Sequence, residues 1–143
     1  MERIYLKKNN SNDLSKTNQP HFIGSWNIRN DDLCNEIINF FEENKLLHIK
    51  GRIGSGLEQT RKKKTTDINV SPVQLKDEKY KCFNTYFSEL HKCHVDYQAQ
   101  WPFLKKMIKN VDIGSFNVQK YSSGDHFSDI HTERASLQTL HRV

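Results

Sequence analysis

His131-Thr132-Glu133 sets an imidazole and a carboxylate two residues apart. On an extended strand such residues point to one face, where a nitrogen and an oxygen can be offered to a single metal ion. These are two of the three protein ligands of the facial arrangement that holds non-haem iron. A His-x-Glu triplet also recurs by chance, and its bland reading is a surface strand pair with the imidazole hydrogen-bonded to the acid. Two further clusters could do chemistry. His91, Cys93 and His94 crowd one turn with Cys82 upstream, which raises zinc, but on a helix only His91 and His94 share a face. Half-buried helix residues are the stronger reading there. The run Arg61-Lys62-Lys63-Lys64, with Arg52 nearby, could meet phosphates. No aromatic platform is interleaved with it, and Glu42, Glu43, Asp77 and Glu78 flank it. A small basic nucleic-acid-binding module is therefore the weaker alternative, and a solvated loop the stronger.

The elements that must position these residues follow from pattern. Residues 7–20 are polar and read as a solvated arm, and Phe22 to Trp26 as a first strand. Leu33, Ile37, Phe40 and Phe41 recur at helical spacing, with Cys34 and Ile38 widening the stripe and Asp31 or Asp32 accepting the free N–H groups of the first turn. Gly51, Gly54 and Gly56 break that helix. Ile68 and Val70 then alternate like a short strand. From Asp77, the residues Tyr80, Phe83, Phe87, Leu90, His94 and Tyr97 predict a long helix whose apolar face packs on something broad, such as a sheet. Pro102 starts a new turn, continued by Leu104, Met107 and Ile108.

After Gly114 the period changes to two. Phe116 and Val118 alternate with Asn117, Gln119 and Tyr121, so one face of the strand is apolar and the other polar, as at the wall of a cavity. Ser122-Ser123-Gly124-Asp125 is a turn, and Phe127 to Glu133 can return as a second strand.

The stretch from Phe116 to Glu133 resembles the entry to the catalytic barrel of Fe(II)- and 2-oxoglutarate-dependent dioxygenases of the prolyl-4-hydroxylase-like branch. A strand ending in Tyr, a Gly-containing turn, an aromatic residue and His-x-Asp/Glu follow there in the same order. The likeness is strong over residues 114–143 and weaker over 22–70, where a strand, a helix near Leu33-Cys34 and a Lys-Thr-Thr-Asp strand look like the N-terminal support of phage and bacterial members. It implies an α+β chain, with helical support over 22–110 and the first strands of a double-stranded β-helix, or jelly roll, over 114–143. His131 and Glu133 would be metal ligands, and Tyr121 a hydroxyl donor to the 2-oxoglutarate carboxylates. The cofactors implied are Fe(II), 2-oxoglutarate as cosubstrate and ascorbate as an accessory. The substrate would be a peptide or a small molecule. Two features depart from the pattern. Glu133 stands where Asp is commoner, and the distal His and the 2-oxoglutarate-binding Arg or Lys of later strands have no counterpart before Val143. His141-Arg142 would run alongside the site rather than close it. The expectation is thus a single partial dioxygenase domain, a fragment with an incomplete barrel and unpaired strand edges.

Composition agrees with one domain. The 143 residues carry 22 Lys+Arg against 17 Asp+Glu, a net charge of +5, which favours anionic partners without choosing among them. No apolar run approaches a membrane span, and residues 1–8 lack the apolar centre of a signal peptide. Three cysteines without a Cys-x-x-Cys spacing indicate neither a disulfide framework nor a zinc ribbon, and with the missing leader they predict a cytoplasmic location and no membrane partner.

Overall fold

The side chain of Asn30, one residue earlier than expected, caps the first long helix: its Oδ1 accepts the backbone N–H of Leu33 at 3.0 Å. Asp31 and Asp32 instead sit in the first turn of α1 (Asp31–Glu43), where their charge complements the helix dipole. In the computed structural model, which describes residues 1–4, 23–53, 60–107, 111–128 and 130, α1 buries Leu33, Phe40 and Phe41. The stripe is narrower than its spacing suggests, because Cys34 and Ile38 face solvent.

The chain divides into two compact units, each assembled from separated segments. One comprises Met1–Phe40 and Pro72–Gly114. Its strands are β1 (Glu2–Arg3) and β2 (Trp26–Asn27), paired antiparallel with Arg3 opposite Trp26. The first strand expected over Phe22 to Trp26 is therefore shifted to Trp26–Asn27; Phe22 lies outside the described residues. A 3-10 turn (Glu78–Tyr80), capped by the Asp77 carboxylate on the Lys79 N–H, leads into α2 (Lys81–Gln100). Phe83 packs edge-on against Phe40, ring centroids 4.9 Å apart, and Tyr80 lies 5.1 Å from the same ring. Within its own unit α2 packs on α1 and the two-stranded ribbon. Its buried residues Cys82, Phe83 and Cys93 mark a face that the expected stripe only partly covers, and Leu90 is exposed. Beyond Pro102, α3 (Leu104–Met107) is a short turn in which Leu104 is half-buried and Met107 faces solvent, while Ile108, expected to continue the apolar face, lies outside the described residues.

The second unit comprises Phe41–Ser71 and Ser115–Val143. It holds β3 (Ile49–Lys50), β4 (Lys63–Lys64), β5 (Thr66–Val70), β6 (Phe116–Lys120) and β7 (His126–Phe127). A three-stranded antiparallel sheet runs β3-β5-β6, and β4 pairs with β7. Of the return strand expected over Phe127 to Glu133, the described residues show only a two-residue strand at His126–Phe127, which is not paired with β6; Asp129 and residues 131–133 lie outside the described residues. The short strand joins β4 instead, with His126 opposite Lys64 and Phe127 opposite Lys63. Gly124 takes a left-handed conformation, φ 81°, that a side chain would strain. Gly51 is needed for another reason: a Cβ there would lie 1.9 Å from Thr65 Oγ1. The result is a mixed helix-and-strand chain with small antiparallel sheets and, among the described residues, no closed barrel.

Candidate functional site

The β5–β6 pair has two chemically distinct faces. Its register sets Ile68 opposite Val118 and Val70 opposite Phe116 on one side. Ile68 and Val70 are fully buried there, worth roughly 1.5–3 kcal/mol each against exposure. On the other side Asn69 faces Asn117 and Asp67 faces Gln119, because directly opposed residues share a face. Both pairs are hydrogen-bonded through their side chains, Asn69 Nδ2 to Asn117 Oδ1 at 2.9 Å and Gln119 Nε2 to Asp67 Oδ2 at 3.2 Å. Tyr121 continues this ladder, its hydroxyl 3.4 Å from Gln119 Oε1. The polar strand face read from Asn117, Gln119 and Tyr121 thus exists, and Tyr121 stands at its end, 47% exposed.

At the centre of that face lies a buried ion pair. Lys63 Nζ reaches Asp67 Oδ2 at 3.1 Å, with the two side chains only 5% and 3% exposed. The Lys63 ammonium also lies 5.6 Å from the centre of the Phe127 ring. Thr65 Oγ1 and Asp67 Oδ1 are buried without a hydrogen-bond partner among the described residues, which is the costly state for polar atoms. A strand that hides Lys63, Thr65 and Asp67 on one side and Ile68 and Val70 on the other departs from the usual apolar composition of a doubly buried strand.

The turn that follows Tyr121 is tied down at both ends. Asp125 accepts the Ser122 N–H at 2.9 Å and pairs with Lys64 at 3.0 Å. The Ser122 N–H, then Lys64, holds the Asp125 carboxyl below the usual carboxylate range. Ser128 N–H donates to the Lys62 carbonyl at 2.8 Å, extending the β4–β7 contact. His131 and Glu133, the metal ligands that the sequence suggests, lie outside the described residues, as does His141. Among the described residues no group of three His, Cys, Asp or Glu side chains could hold a metal ion.

The basic run is the solvated loop its composition suggests only at Arg61 and Lys62, which lie exposed in a turn; Lys63 and Lys64 form β4. Lys63 is buried against Asp67, and the exposed Lys64 is paired with Asp125, so half of the run's charge is matched by acids of the same unit. That weakens it as a phosphate-binding surface. Of the His91/Cys93/His94 cluster only Cys93 is buried; His94 is half-buried and His91 exposed. Cys93 is buried with its Sγ 3.3 Å from Met1 Sδ, and burial pushes both the Cys82 and Cys93 thiols up, away from the thiolate a metal requires.

Sequence reasoning missed Lys63, Thr65 and Asp67 as one constellation. Their alternation, three positions on one strand face, was the available signal; the flanking Arg61, Lys62 and Lys64 disguised it as a charge run. It also missed a groove in the other unit, about 440 Å³, between β2 and α2, walled by Trp26, Tyr86, Leu90 and Tyr97. The Trp26 indole is held there by Asp96, which accepts its Nε1–H at 2.7 Å and also pairs with Arg3.

Compared with known proteins, the chain matches no family model, no curated protein sequence and no solved structure. No helix among the described residues is long and apolar enough to cross a membrane.

Proposed function

We propose that this chain belongs to an Fe(II)- and 2-oxoglutarate-dependent oxygenase of the prolyl-4-hydroxylase-like kind, acting on a peptide or small-molecule substrate. The observation that carries the reading is the polar ladder of β5–β6 ending in Tyr121, followed in sequence by a fixed turn and then His131-Thr132-Glu133. In this reading β5 and β6 belong to the beginning of a double-stranded β-helix.

The donor types fit one end of the cosubstrate. A half-exposed phenol at the end of a polar strand face can donate to a carboxylate, and the buried Lys63 ammonium is already neutralised by Asp67. Tyr121 therefore supplies a neutral, directional hydrogen bond rather than charge. His131 and Glu133 would hold the iron from one strand face. Bound together with dioxygen, iron and 2-oxoglutarate would supply the oxidising chemistry, one oxygen atom entering the succinate formed with loss of carbon dioxide and the other the hydroxylated substrate. The protein's own part is to orient the carboxylate at Tyr121 and keep the strand face in register, through Asp67–Gln119 pairing on one side and Ile68–Val118 packing on the other.

Equilibrium dialysis against Fe(II) under anaerobic conditions, with and without 2-oxoglutarate, tests the proposal. One iron per chain is expected, with affinity falling at least tenfold in His131→Ala and in Glu133→Ala. Iron uptake that neither substitution alters would refute it.

A further inference from the structure

We propose that Asp67 is a positioning residue for the Tyr121 hydroxyl, acting through the side-chain amide of Gln119. The inference rests on the oxygenase reading and adds to it the groups that set the direction of the cosubstrate-binding phenol.

The direction follows from which atoms can donate. Asp67 Oδ2 receives Lys63 Nζ at 3.1 Å and Gln119 Nε2 at 3.2 Å. An ionised carboxylate only accepts, so the amide must turn its NH₂ toward Asp67; the flipped amide would set two acceptors against each other. The Gln119 carbonyl oxygen is thereby aimed the other way, and it is the atom 3.4 Å from the Tyr121 hydroxyl. The phenol is the donor in that contact, so its proton has a defined direction.

Burial decides which member is the anchor. Asp67 is 2% exposed and Lys63 5%, whereas Gln119 and Tyr121 are exposed. Two surface side chains of this kind sample several rotamers unless something fixed holds them. Asp67, pinned by a buried ammonium four residues earlier in the same extended run, is that fixed point. The last link is deliberately weak in the physical sense: 3.4 Å is well beyond the usual O–H···O distance of about 2.7–2.8 Å. A neutral carbonyl at that distance loses the phenol proton to a carboxylate, which accepts more strongly. Gln119 therefore parks the hydroxyl until an oxo-acid carboxylate replaces it.

The test uses the full 143-residue chain, ¹⁵N-labelled, with the Gln119 side-chain NH₂ signals assigned by their absence in Gln119→Met. Asp67→Asn keeps the side-chain shape; it is expected to move those signals and to speed their exchange with water several-fold. Dissociation constants for 2-oxoglutarate, with Zn(II) as a redox-inert stand-in for iron, are then compared in a cycle. Tyr121→Phe is expected to weaken binding roughly tenfold, the loss of one hydrogen bond to a charged group. Gln119→Met, at an exposed site that tolerates substitution, and Asp67→Asn are expected to weaken it about threefold, and neither to weaken it further in the Tyr121→Phe background. A merely structural role for Asp67 predicts the same loss in both backgrounds, and that result would overturn the proposal, as would Gln119 signals indifferent to Asp67→Asn. If no variant, wild type included, binds 2-oxoglutarate, the oxygenase reading and the cosubstrate role fall together. The Gln119 signals would then still report separately whether the Asp67–Gln119–Tyr121 chain exists.

Discussion

Replacing Lys63 by Met leaves the Asp67 carboxylate buried without its cation, and the structure sets the size of the effect. Both side chains are nine-tenths or more hidden, their charged atoms are 3.1 Å apart, and the second Asp67 oxygen has no partner to fall back on among the described residues. Removing one member of such a pair costs about 3–5 kcal/mol, because the remaining charge is stranded rather than because the pair itself was worth that much. For a chain of this size that corresponds to a melting temperature lower by roughly 10 °C. The companion change Asp67→Leu carries the same expectation. The two together should not add. Lys63→Met/Asp67→Leu removes both charges, leaves an apolar contact against the Phe127 ring, and frees only the Gln119 amide, which solvent can reach. Its stability should return to within about 1–2 kcal/mol of the parent, or exceed it. Urea unfolding followed by circular dichroism measures all four corners of the cycle, provided the slope with denaturant is unchanged. Single substitutions that cost less than about 1 kcal/mol, or a double variant as unstable as the sum of the singles, would refute the stranded-charge argument.

Other consequences are quicker to check. Gly51→Ala drives a methyl group onto Thr65 Oγ1 and should destabilise by about 1–3 kcal/mol, while Gly114→Ala, with open space around the new carbon, should stay within about 0.5 kcal/mol in the same unfolding assay. Arg3, and after it Trp26, hold the Asp96 carboxyl below the usual carboxylate range, so the contribution of this cluster is complete above the ordinary carboxylate pKa and disappears as pH falls through the lowered one. Trp26 fluorescence, read in a Trp101→Phe background, should therefore stay flat through mildly acidic pH and change only below it; a transition at or above the ordinary value contradicts the arrangement. A thiol reagent should modify Cys34 promptly and Cys82 and Cys93 only on unfolding, since the first is exposed and burial pushes the other two thiols up; mass spectrometry of the native protein then shows one adduct.

Where a pattern is set by local chemistry, the chain discloses its structure readily. α1 appears where the Leu33, Phe40 and Phe41 spacing requires it, and the two faces of β6 are those of its alternation. The turn at Ser122–Asp125 likewise follows from Gly124 and the Asp125 carboxylate. The failures share a cause, which is that pairing between distant segments leaves no local trace. Nothing in the local sequence of His126-Phe127 says that this short strand takes β4 as its partner rather than β6. Nothing in Arg61-Lys62-Lys63-Lys64 distinguishes the lysine that is buried from its neighbours, because its partner Asp67 becomes visible only when the strand is extended and the alternation counted. The helix cap was misplaced by one residue for a smaller reason: Asn30, Asp31 and Asp32 are all competent caps, and only the helix path chooses. For the candidate site, Tyr121 and its polar face were legible, and the groups that orient Tyr121 were not.

That asymmetry bears on what the polar ladder is for. A buried ammonium–carboxylate pair with an orphaned hydroxyl and an orphaned carboxylate oxygen beside it is a poor way to stabilise a sheet, since apolar residues of the same shape would do as well or better. Strands that break the apolar rule on a buried face do so most often where the face has a task beyond holding together. Here the rule is kept on the Ile68–Val70 side of β5 and broken only on the side shared with Gln119 and Tyr121. If Lys63→Met/Asp67→Leu folds as stably as expected yet no longer orders the Gln119 amide, the ion pair will have been separated from the fold and assigned to the phenol. A double variant that is both unstable and unchanged at Gln119 would instead make the pair an ordinary, if inefficient, part of the core.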